Sequence, residues 1–279
     1  MHQKFIMAGV MGWPVAHSRS PLIHNHWIHQ YQLTGAYGLF PVQPDQIEVA
    51  IRGLGALGLA GCNITIPHKV AAMRCVDWID PLAKQVGAIN TIVVQPNGEL
   101  HGYNNDGFGY LQSIQANYPD WQANHQTVVM LGAGGAARAI LVALLNEGVS
   151  EIRLVNRTKE KADELAREFG ARVQAYDWSK RHQALSGAHL LVNTTSQGMQ
   201  GQPSLDIQLD ELSPTALVTD IVYTPLETPL LAAARARGNP TTNGLGMLIH
   251  QARPAFKAWF GVMPDVSPDL HQKLVSTLI

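Results

Sequence analysis

A chain of 279 residues exceeds the size at which one hydrophobic core usually stops growing, which predicts two domains. Its 46% hydrophobic and 15% charged residues, with 25 Gly and 16 Pro spread along the chain, are those of a globular protein and exclude a disordered one. A balance of 20 Lys+Arg against 21 Asp+Glu leaves a formal charge of −1 without a run of like charge, so neither nucleic acid nor a membrane surface is expected as partner.

In chain order, Phe5–Met11 reads as a first strand. Lys4 and the apolar stretch to Ala16 superficially copy a secretion leader, but Gly9, Gly12 and Pro14 interrupt it and no evident cleavage site follows. Ser20-Pro21 predicts a helix start, with Ser20 as N-cap and the helix running to about Tyr31. A strand near Tyr37–Val42, a helix from Pro44 to Leu57 and a strand over Cys62–Thr65 continue the alternation that builds a parallel sheet. Pro67 is expected to open another helix. Thr91–Val94 and Leu100–Tyr103 flank Pro96-Asn97-Gly98 and predict an antiparallel hairpin. The polar stretch Asn117–Gln126 reads as a boundary or an exposed connection. Beyond it, strands are expected near Val128–Leu131, Ile152–Val155, Val173–Ala175, Leu190–Asn193 and Leu217–Ile221 with helices in the gaps, then C-terminal helices over Met247–Phe260 and about Leu270–Leu278. No apolar run reaches the length of a membrane span. Cys62 and Cys75 suit neither a disulfide framework nor a metal cage, and no metal-ligand spacing occurs among the 12 His, so no metal and a reducing, cytoplasmic compartment are expected.

The strongest local signal is Val128-Val129-Met130-Leu131 running into Gly132-Ala133-Gly134-Gly135-Ala136-Ala137 and a helix. This matches G-x-G-x-x-G/A: Gly132 for the tight turn, Gly134 for backbone approach to a pyrophosphate, Ala137 for close helix packing, with the helix N-terminus facing the anion. Where an acid would accept from the ribose 2′-hydroxyl of NAD, the next strand ends in Asn156-Arg157-Thr158, with Lys161 following. Two cations and a hydroxyl suit a 2′-phosphate, so NADP is the expected cofactor. The plainer reading makes Thr158 a helix cap and Arg157 a solvated charge.

Further motifs in order are His17-Ser18-Arg19-Ser20-Pro21, Asn63-Ile64-Thr65-Ile66-Pro67-His68-Lys69, Gly87-Ala88-Ile89-Asn90-Thr91, Asn104-Asn105-Asp106-Gly107, Asn193-Thr194-Thr195-Ser196-Gln197-Gly198-Met199, Asp220-Ile221-Val222-Tyr223 and Gly244-Leu245-Gly246-Met247-Leu248 through Gln251. Together with the glycine loop they resemble the shikimate dehydrogenase family over nearly the whole chain. The resemblance implies an α/β fold of two domains: a mostly parallel substrate domain, residues 1–108 completed by helices at about 247–279, and a Rossmann-type NADP domain, residues 109–246. It also implies Lys69 and Asp106 as the catalytic pair, and Ser18, Ser20, Thr65, Asn90, Asp106, Tyr223 and Gln251 around a small cyclic hydroxy-carboxylate. Gly132, Ala133, Gly134, Gly135, Ala136, Asn156, Arg157, Thr158, Lys161, Thr195, Ile221 and Gly244 would hold or flank NADP. The implied activity interconverts 3-dehydroshikimate and shikimate in a monomer or homodimer.

Each residue also has a local reading. Ser20 reads as a helix cap, Lys69 as a solvated charge, Asp106 as N-cap of a helix through Leu111, Asn63 as structural, and His24, His26 and His29 as helix-surface residues. Asn105 stands where the family commonly has Thr, and His68 where an apolar residue is frequent. Both departures leave room for a paralogue preferring quinate or an aminoshikimate; a catalytically idle NADP-binding sensor is the alternative of a different class.

Overall fold

The computed structural model describes residues 5–278, which leaves Lys4 of the leader comparison outside the described residues. The chain forms two units, one running to Asp106 and resumed by Ile249–Thr277, the other comprising Gly107–Leu248.

In the first unit β1 (Ile6–Gly12) leads through α1 (Ser20–Gln30) to β2 (Gly35–Pro41), and through a 3₁₀ turn and α2 (Ile47–Arg52) to β3 (Gly61–Ile64). β1 lies parallel to both β2 and β3. The helix expected from Pro44 to Leu57 is shorter, because Gly53, Gly55 and Gly58 (φ +70°) follow Arg52 and unwind it. β4 (Trp78–Ile79) and α3 (Pro81–Val86) were not anticipated. Their signal was present in Asp80-Pro81, where Asp80 Oδ1 accepts from Leu82 N (2.9 Å), and in Gly87, a left-handed C-terminal stop at φ 71°. β5 (Thr91–Val94) and β6 (Leu100–Tyr103) form the expected antiparallel hairpin, turning at Gly98. The sheet order is β2-β1-β3-β5-β6-β4, with β5 antiparallel to β3 and β4 parallel to β6.

The second unit continues α4 (Asp106–Asn117) into β7 (Thr127–Leu131), α5 (Gly135–Asn146), β8 (Glu151–Asn156), α6 (Lys159–Phe169), β9 (Val173–Asp177), β10 (Leu190–Asn193), β11 (Leu217–Asp220), α7 (Pro229–Ala236), β12 (Thr241–Thr242) and α8 (Gly244–His250). All strand pairings are parallel, in the order β12-β11-β10-β7-β8-β9. Counted from β7 this is 3-2-1-4-5-6, the doubly wound arrangement whose strand order reverses between β7 and β10. The stretch 117–126 is thus a connection inside this unit. Helices do not fill every gap: the segment between β10 and β11 is irregular, since Gly198 and Gly201 hold positive φ and Pro203 and Pro214 cannot donate. α4 lies close on α5, because a Cβ on Gly107 would come within 2.8 Å of Ala143 Cβ.

The chain returns to the first unit as α9 (Ala252–Phe260) and α10 (Pro268–Ser276). The single helix expected over Met247–Phe260 divides at Gln251, because Pro254 lacks the N–H that would bond His250 O. α9 buries Phe256 and Trp259 beside Trp27 and Tyr37, and Trp259 Nε1 donates to Ile92 O at 3.1 Å. Only glycine at position 61 admits that ring, whose Nε1 lies 2.2 Å from where a Cβ would stand.

Candidate active site

Lys69 follows β3 on a short turn. The helix expected to open at Pro67 is absent: His68 N–H bonds back to Thr65 O, Ala72 N–H to His68 O, and a 3₁₀ turn follows over Ala71–Cys75. The cause is His68, whose buried ring donates from Nε2 to Val42 O at 2.8 Å and pins the turn to the segment after β2. Lys69 O accepts from Ile89 N, and Asn104 Nδ2 donates to Ala88 O, tying this turn to the loop before Asn90 and to the residues after β6.

These ties place Lys69 Nζ 2.6 Å from Asp106 Oδ2, with the lysine side chain 28% and the aspartate 10% exposed. Asp106 opens α4 without capping it: Asn104 Oδ1 accepts the Asp106 N–H at 3.0 Å, which corrects the local reading and leaves the carboxylate free for other partners. Its Oδ1 takes Asn90 Nδ2 at 2.8 Å, and the same amide lies 3.5 Å from Gln251 Oε1. A pair this far desolvated contributes little net stability. An ammonium that keeps partial exposure beside a fixed carboxylate can instead exchange a proton with a bound hydroxyl.

Ser20 is the first residue of α1 and not its cap, because the chain has already turned at Arg19 (φ −88°, ψ −4°), whose C=O takes the Ile23 N–H. Its buried hydroxyl pairs with the Tyr37 phenol, and Ser18 Oγ accepts the Ser20 N–H at 3.3 Å. Tyr37 OH donates to Asn63 Oδ1 (2.7 Å), and Asn63 Nδ2 to Asn90 O (3.1 Å), so a buried polar chain joins Ser20 to Asn90, Asp106, Lys69 and Gln251. Burial pushes the Tyr37 hydroxyl well above the usual phenol range, keeping it a donor. Among the described residues, Ser18 and Thr65 are not hydrogen-bonded directly to Asn90, Asp106 or Lys69, and Tyr223 belongs to the other unit. Thr65 fits beside β1 because residue 12 is glycine: a Cβ there would lie 2.4 Å from Thr65 Cγ2. Both departures are absorbed inside the unit, His68 by Val42 O and Asn105 by Thr91, whose Oγ1 accepts Asn105 Nδ2 at 3.0 Å.

His24 is not on a helix surface. It is fully buried, stacked on Tyr37 at 4.1 Å, and burial lowers its pKa to about 3.

In the second unit the glycine loop joins β7 to α5 at the reversal of strand order. Gly132 adopts φ +105°, and a Cβ would meet Thr194 Oγ1 at 2.6 Å, so this glycine serves the turn and the approach of the loop after β10. Gly134 and Gly135 differ, since a Cβ on either would point into open space. Gly134 occupies the N-cap of α5 in extended geometry with no side-chain cap, so the first N–H groups keep their capacity for an anion, and a side chain there would fill the cradle. Ala133 and Ala136 flank it half-buried, and Ala137 is fully buried against the sheet. At the end of β8, Asn156 Nδ2 donates to Thr158 O (2.7 Å); Thr158 occupies the N-cap of α6, but its hydroxyl makes no cap bond. Arg157, Thr158 and Lys161 are exposed together, and among the described residues Arg157 and Lys161 form no ion pair, a donor set that fits a phosphate.

Thr195 N–H and Oγ1 both bond Asn193 Oδ1, while Asn193 Nδ2 donates to Gln197 O and Asp220 Oδ1. Asp220 also accepts from Val222 N and Thr228 Oγ1, and burial raises its pKa despite these bonds. Asn193, at the head of a stretch that fits either a plain or a cofactor-flanking loop, and Asp220 are not among the site residues expected from sequence; the available signal was a polar residue closing each of two apolar strands, Leu-Leu-Val-Asn and Leu-Val-Thr-Asp. Ile221 and Gly244 meet backbone to backbone, with Ile221 O 1.9 Å from where a Gly244 Cβ would lie, so only glycine opens α8 there.

Comparison with known proteins places this geometry. Residues 10–92 match the shikimate dehydrogenase substrate binding domain, residues 114–222 the shikimate / quinate 5-dehydrogenase model and residues 244–271 the shikimate 5′-dehydrogenase C-terminal domain. The chain is 50% identical over 276 residues to the shikimate dehydrogenase (NADP(+)) of Paramagnetospirillum magneticum, covering 99% of this chain and 100% of that protein. It is 52% identical over 269 residues to the same-named protein of Rhodospirillum rubrum, covering 95% of each. Among solved structures, shikimate 5-dehydrogenase from Thermus thermophilus in complex with NADP(H) and shikimate superposes with a TM-score of 0.86 at 33% identity, covering 98% of this chain and 100% of that one. With matches to the substrate-binding, central and C-terminal models in this order, and half its residues shared end to end with a curated relative, the chain belongs to the shikimate dehydrogenase family.

Proposed function

We infer that this chain is an NADP-dependent shikimate dehydrogenase, an oxidoreductase that interconverts 3-dehydroshikimate and shikimate. The family membership supports the activity, and the observation that carries the mechanism is Lys69 Nζ held 2.6 Å from Asp106 Oδ2. We assign residues 1–108 with about 247–279 to substrate binding and catalysis, and 109–246 to the cofactor.

Bound NADP supplies the hydride acceptor in one direction and, once reduced, the donor in the other. Gly132–Ala136 would receive its pyrophosphate, Arg157, Thr158 and Lys161 its 2′-phosphate, and Asn156, Thr195, Ile221 and Gly244 would flank it. Ser18 donates to the substrate carboxylate, joined by Ser20 once its hydroxyl turns from the Tyr37 oxygen, while Thr65, Asn90 and Gln251 address its hydroxyls and ring. Lys69 Nζ delivers a proton to the carbonyl oxygen as that oxygen gains charge, and takes it back from the hydroxyl in oxidation. Asp106 holds the ammonium and accepts from the same hydroxyl, so the substrate oxygen lies between a donor and an acceptor. A cytoplasmic setting accords with Cys62 and Cys75, both buried and unpaired. No helix among the described residues is long and apolar enough to cross a membrane.

Replacing Lys69 by Ala should lower kcat roughly 10²–10⁴-fold with a much smaller change in KM for shikimate. Lys69→Met, which keeps the alkyl stem, should behave the same way. A folded, NADP-binding Lys69→Ala protein with wild-type kcat across pH 6–10 would reduce Lys69 to a surface charge.

A further inference from the structure

We propose that Thr91 is a positioning residue for the Lys69–Asp106 pair: its buried hydroxyl sets which end of the Asn90 amide faces the Asp106 carboxylate. The inference rests on the assignment of Asp106 to the reaction.

The two ends of an asparagine amide have nearly the same shape, so only its partners decide whether N–H or C=O points at a given group. Facing Asp106 Oδ1, the difference is large. Nδ2 donates to the carboxylate at 2.8 Å, whereas a turned amide would set two acceptors against each other. Asn90 is 2% exposed, which leaves water little chance to rescue the wrong orientation.

The orientation is anchored by two main-chain groups that have no choice, the Asn90 carbonyl, which only accepts, and the Asn105 N–H, which only donates. Asn63 Nδ2 donates to the main-chain carbonyl of Asn90, which can only accept, and its second hydrogen goes to Thr91 Oγ1 at 3.0 Å. Asn105 Nδ2 donates to the same Oγ1, also at 3.0 Å. With both lone pairs occupied by N–H groups, the Thr91 hydroxyl hydrogen is directed to its remaining neighbour, Asn90 Oδ1, at 2.9 Å. The Asn105 main-chain N–H reaches Asn90 Oδ1 as well, at 3.0 Å. Asn90 Oδ1 thus takes two donors on the side away from Asp106, and Nδ2 is left for the carboxylate. Thr91 is 1% exposed at the start of β5, and among the described residues its hydroxyl reaches Asp106 through Asn90 and Asn105 and not directly, which makes it a positioning residue and not a catalytic one. Asn105 gains a role by the same geometry: its amide fills the lone pair that would otherwise let the threonine hydroxyl turn.

The test is steady-state oxidation of shikimate by Thr91→Val, Thr91→Ser and Thr91→Cys, each alone and combined with Asp106→Asn, well below every melting midpoint. Thr91→Val keeps the shape but removes the donor to Asn90 and the acceptor of Asn63 and Asn105; kcat should fall about 5- to 10-fold, the worth of the donor bond to Asn90, with KM for shikimate and NADP within twofold of wild type, while the two lost acceptor bonds lower the melting midpoint. Thr91→Ser should recover kcat to within twofold. Thr91→Cys, with its weak donor, should fall between, and decides the matter if the valine protein does not fold. In the Asp106→Asn background the valine substitution should have no further effect, because a residue acting through Asp106 has nothing left to orient. Wild-type kcat in Thr91→Val and Thr91→Cys overturns the proposal, as does an equal loss in both backgrounds, which is the mark of a merely structural residue. Wild-type kcat in Asp106→Asn alone would overturn the Asp106 assignment and the proposal with it, whereas an impaired Asp106→Asn beside an unaffected Thr91→Val would reject only the proposal.

Discussion

At the scale of single residues, two side chains make separate predictions, one for cofactor choice and one for acid stability. Arg157, exposed with Thr158 and Lys161 at the end of β8, should donate to a 2′-phosphate, and Arg157→Ala should weaken NADP by about 1.5–3 kcal/mol while NAD changes little. The ratio of kcat/KM for the two cofactors measures this, and an unchanged ratio would contradict the assignment. His24 governs a different property. Its pKa falls from 6.5 to about 3 on folding because burial disfavours the imidazolium, so below pH 6.5 the unfolded chain binds a proton that the folded one does not. Stability is therefore full above the unfolded value and declines as pH drops toward 3. The loss at pH 5 is about 2 kcal/mol, from 1.5 pH units at about 1.36 kcal/mol each. His24→Phe, which keeps a ring against Tyr37, should flatten the melting temperature between pH 8 and pH 5; a variant that loses as much stability as wild type would show that other groups carry the acid response.

At the scale of elements, the loop between β7 and α5 contains glycines in opposite surroundings. Gly132 holds φ +105° against Thr194, so Gly132→Ala should destabilise the protein by about 1–3 kcal/mol whether or not cofactor is present. Gly134 has ordinary dihedrals and open space at its Cβ position, so Gly134→Ser should leave the melting temperature of the free protein nearly unchanged, serine being a good N-cap. Its effect should be a raised KM for NADP. Denaturant melts beside cofactor titrations separate the two, and a Gly134→Ser protein with wild-type NADP affinity would move the pyrophosphate elsewhere. The glycine motif was legible beforehand because strand, turn and helix follow one another in the chain. The motif already gave the turn to Gly132 and the pyrophosphate approach to Gly134; what it did not contain is the contact of Gly132 with Thr194, which follows β10 in a distant part of the chain. The Ser20-Pro21 signal marked the helix start but not its cap: Asp80-Pro81, Thr228-Pro229 and Ser267-Pro268 start helices with side-chain caps, whereas at Ser20 the turn had already begun at Arg19.

For the whole molecule, ligand binding and stability are linked. NADP at a hundred times its dissociation constant should stabilise the folded chain by about 2.7 kcal/mol at 25 °C. NAD at the same concentration should do much less if the contacts at Arg157 and Lys161 are made. Equal shifts of the melting curve by the two cofactors would remove the basis for NADP selectivity without any assay of activity. The measurement reports on binding alone, so it also separates a loss of cofactor from a loss of the Lys69–Asp106 chemistry.

What the sequence determined by itself was local: alternating strands and helices, the hairpin at Pro96-Asn97-Gly98, and the turn from β7 into α5, each coded by residues a few positions apart whose backbone preferences act before any distant contact forms. Resemblance added the names of the site residues but not their arrangement. The tertiary structure alone decided that Lys69 meets Asp106 across 37 residues of chain, and that Asn90 approaches Gln251 across 161. It also turned His68 and His24 inward and joined Ser20 to Asn90 through Tyr37 and Asn63. These relations depend on the order and register of β1, β3, β5 and β6 and on the return of α9, quantities set by the packing of the whole unit, which no short window of sequence contains.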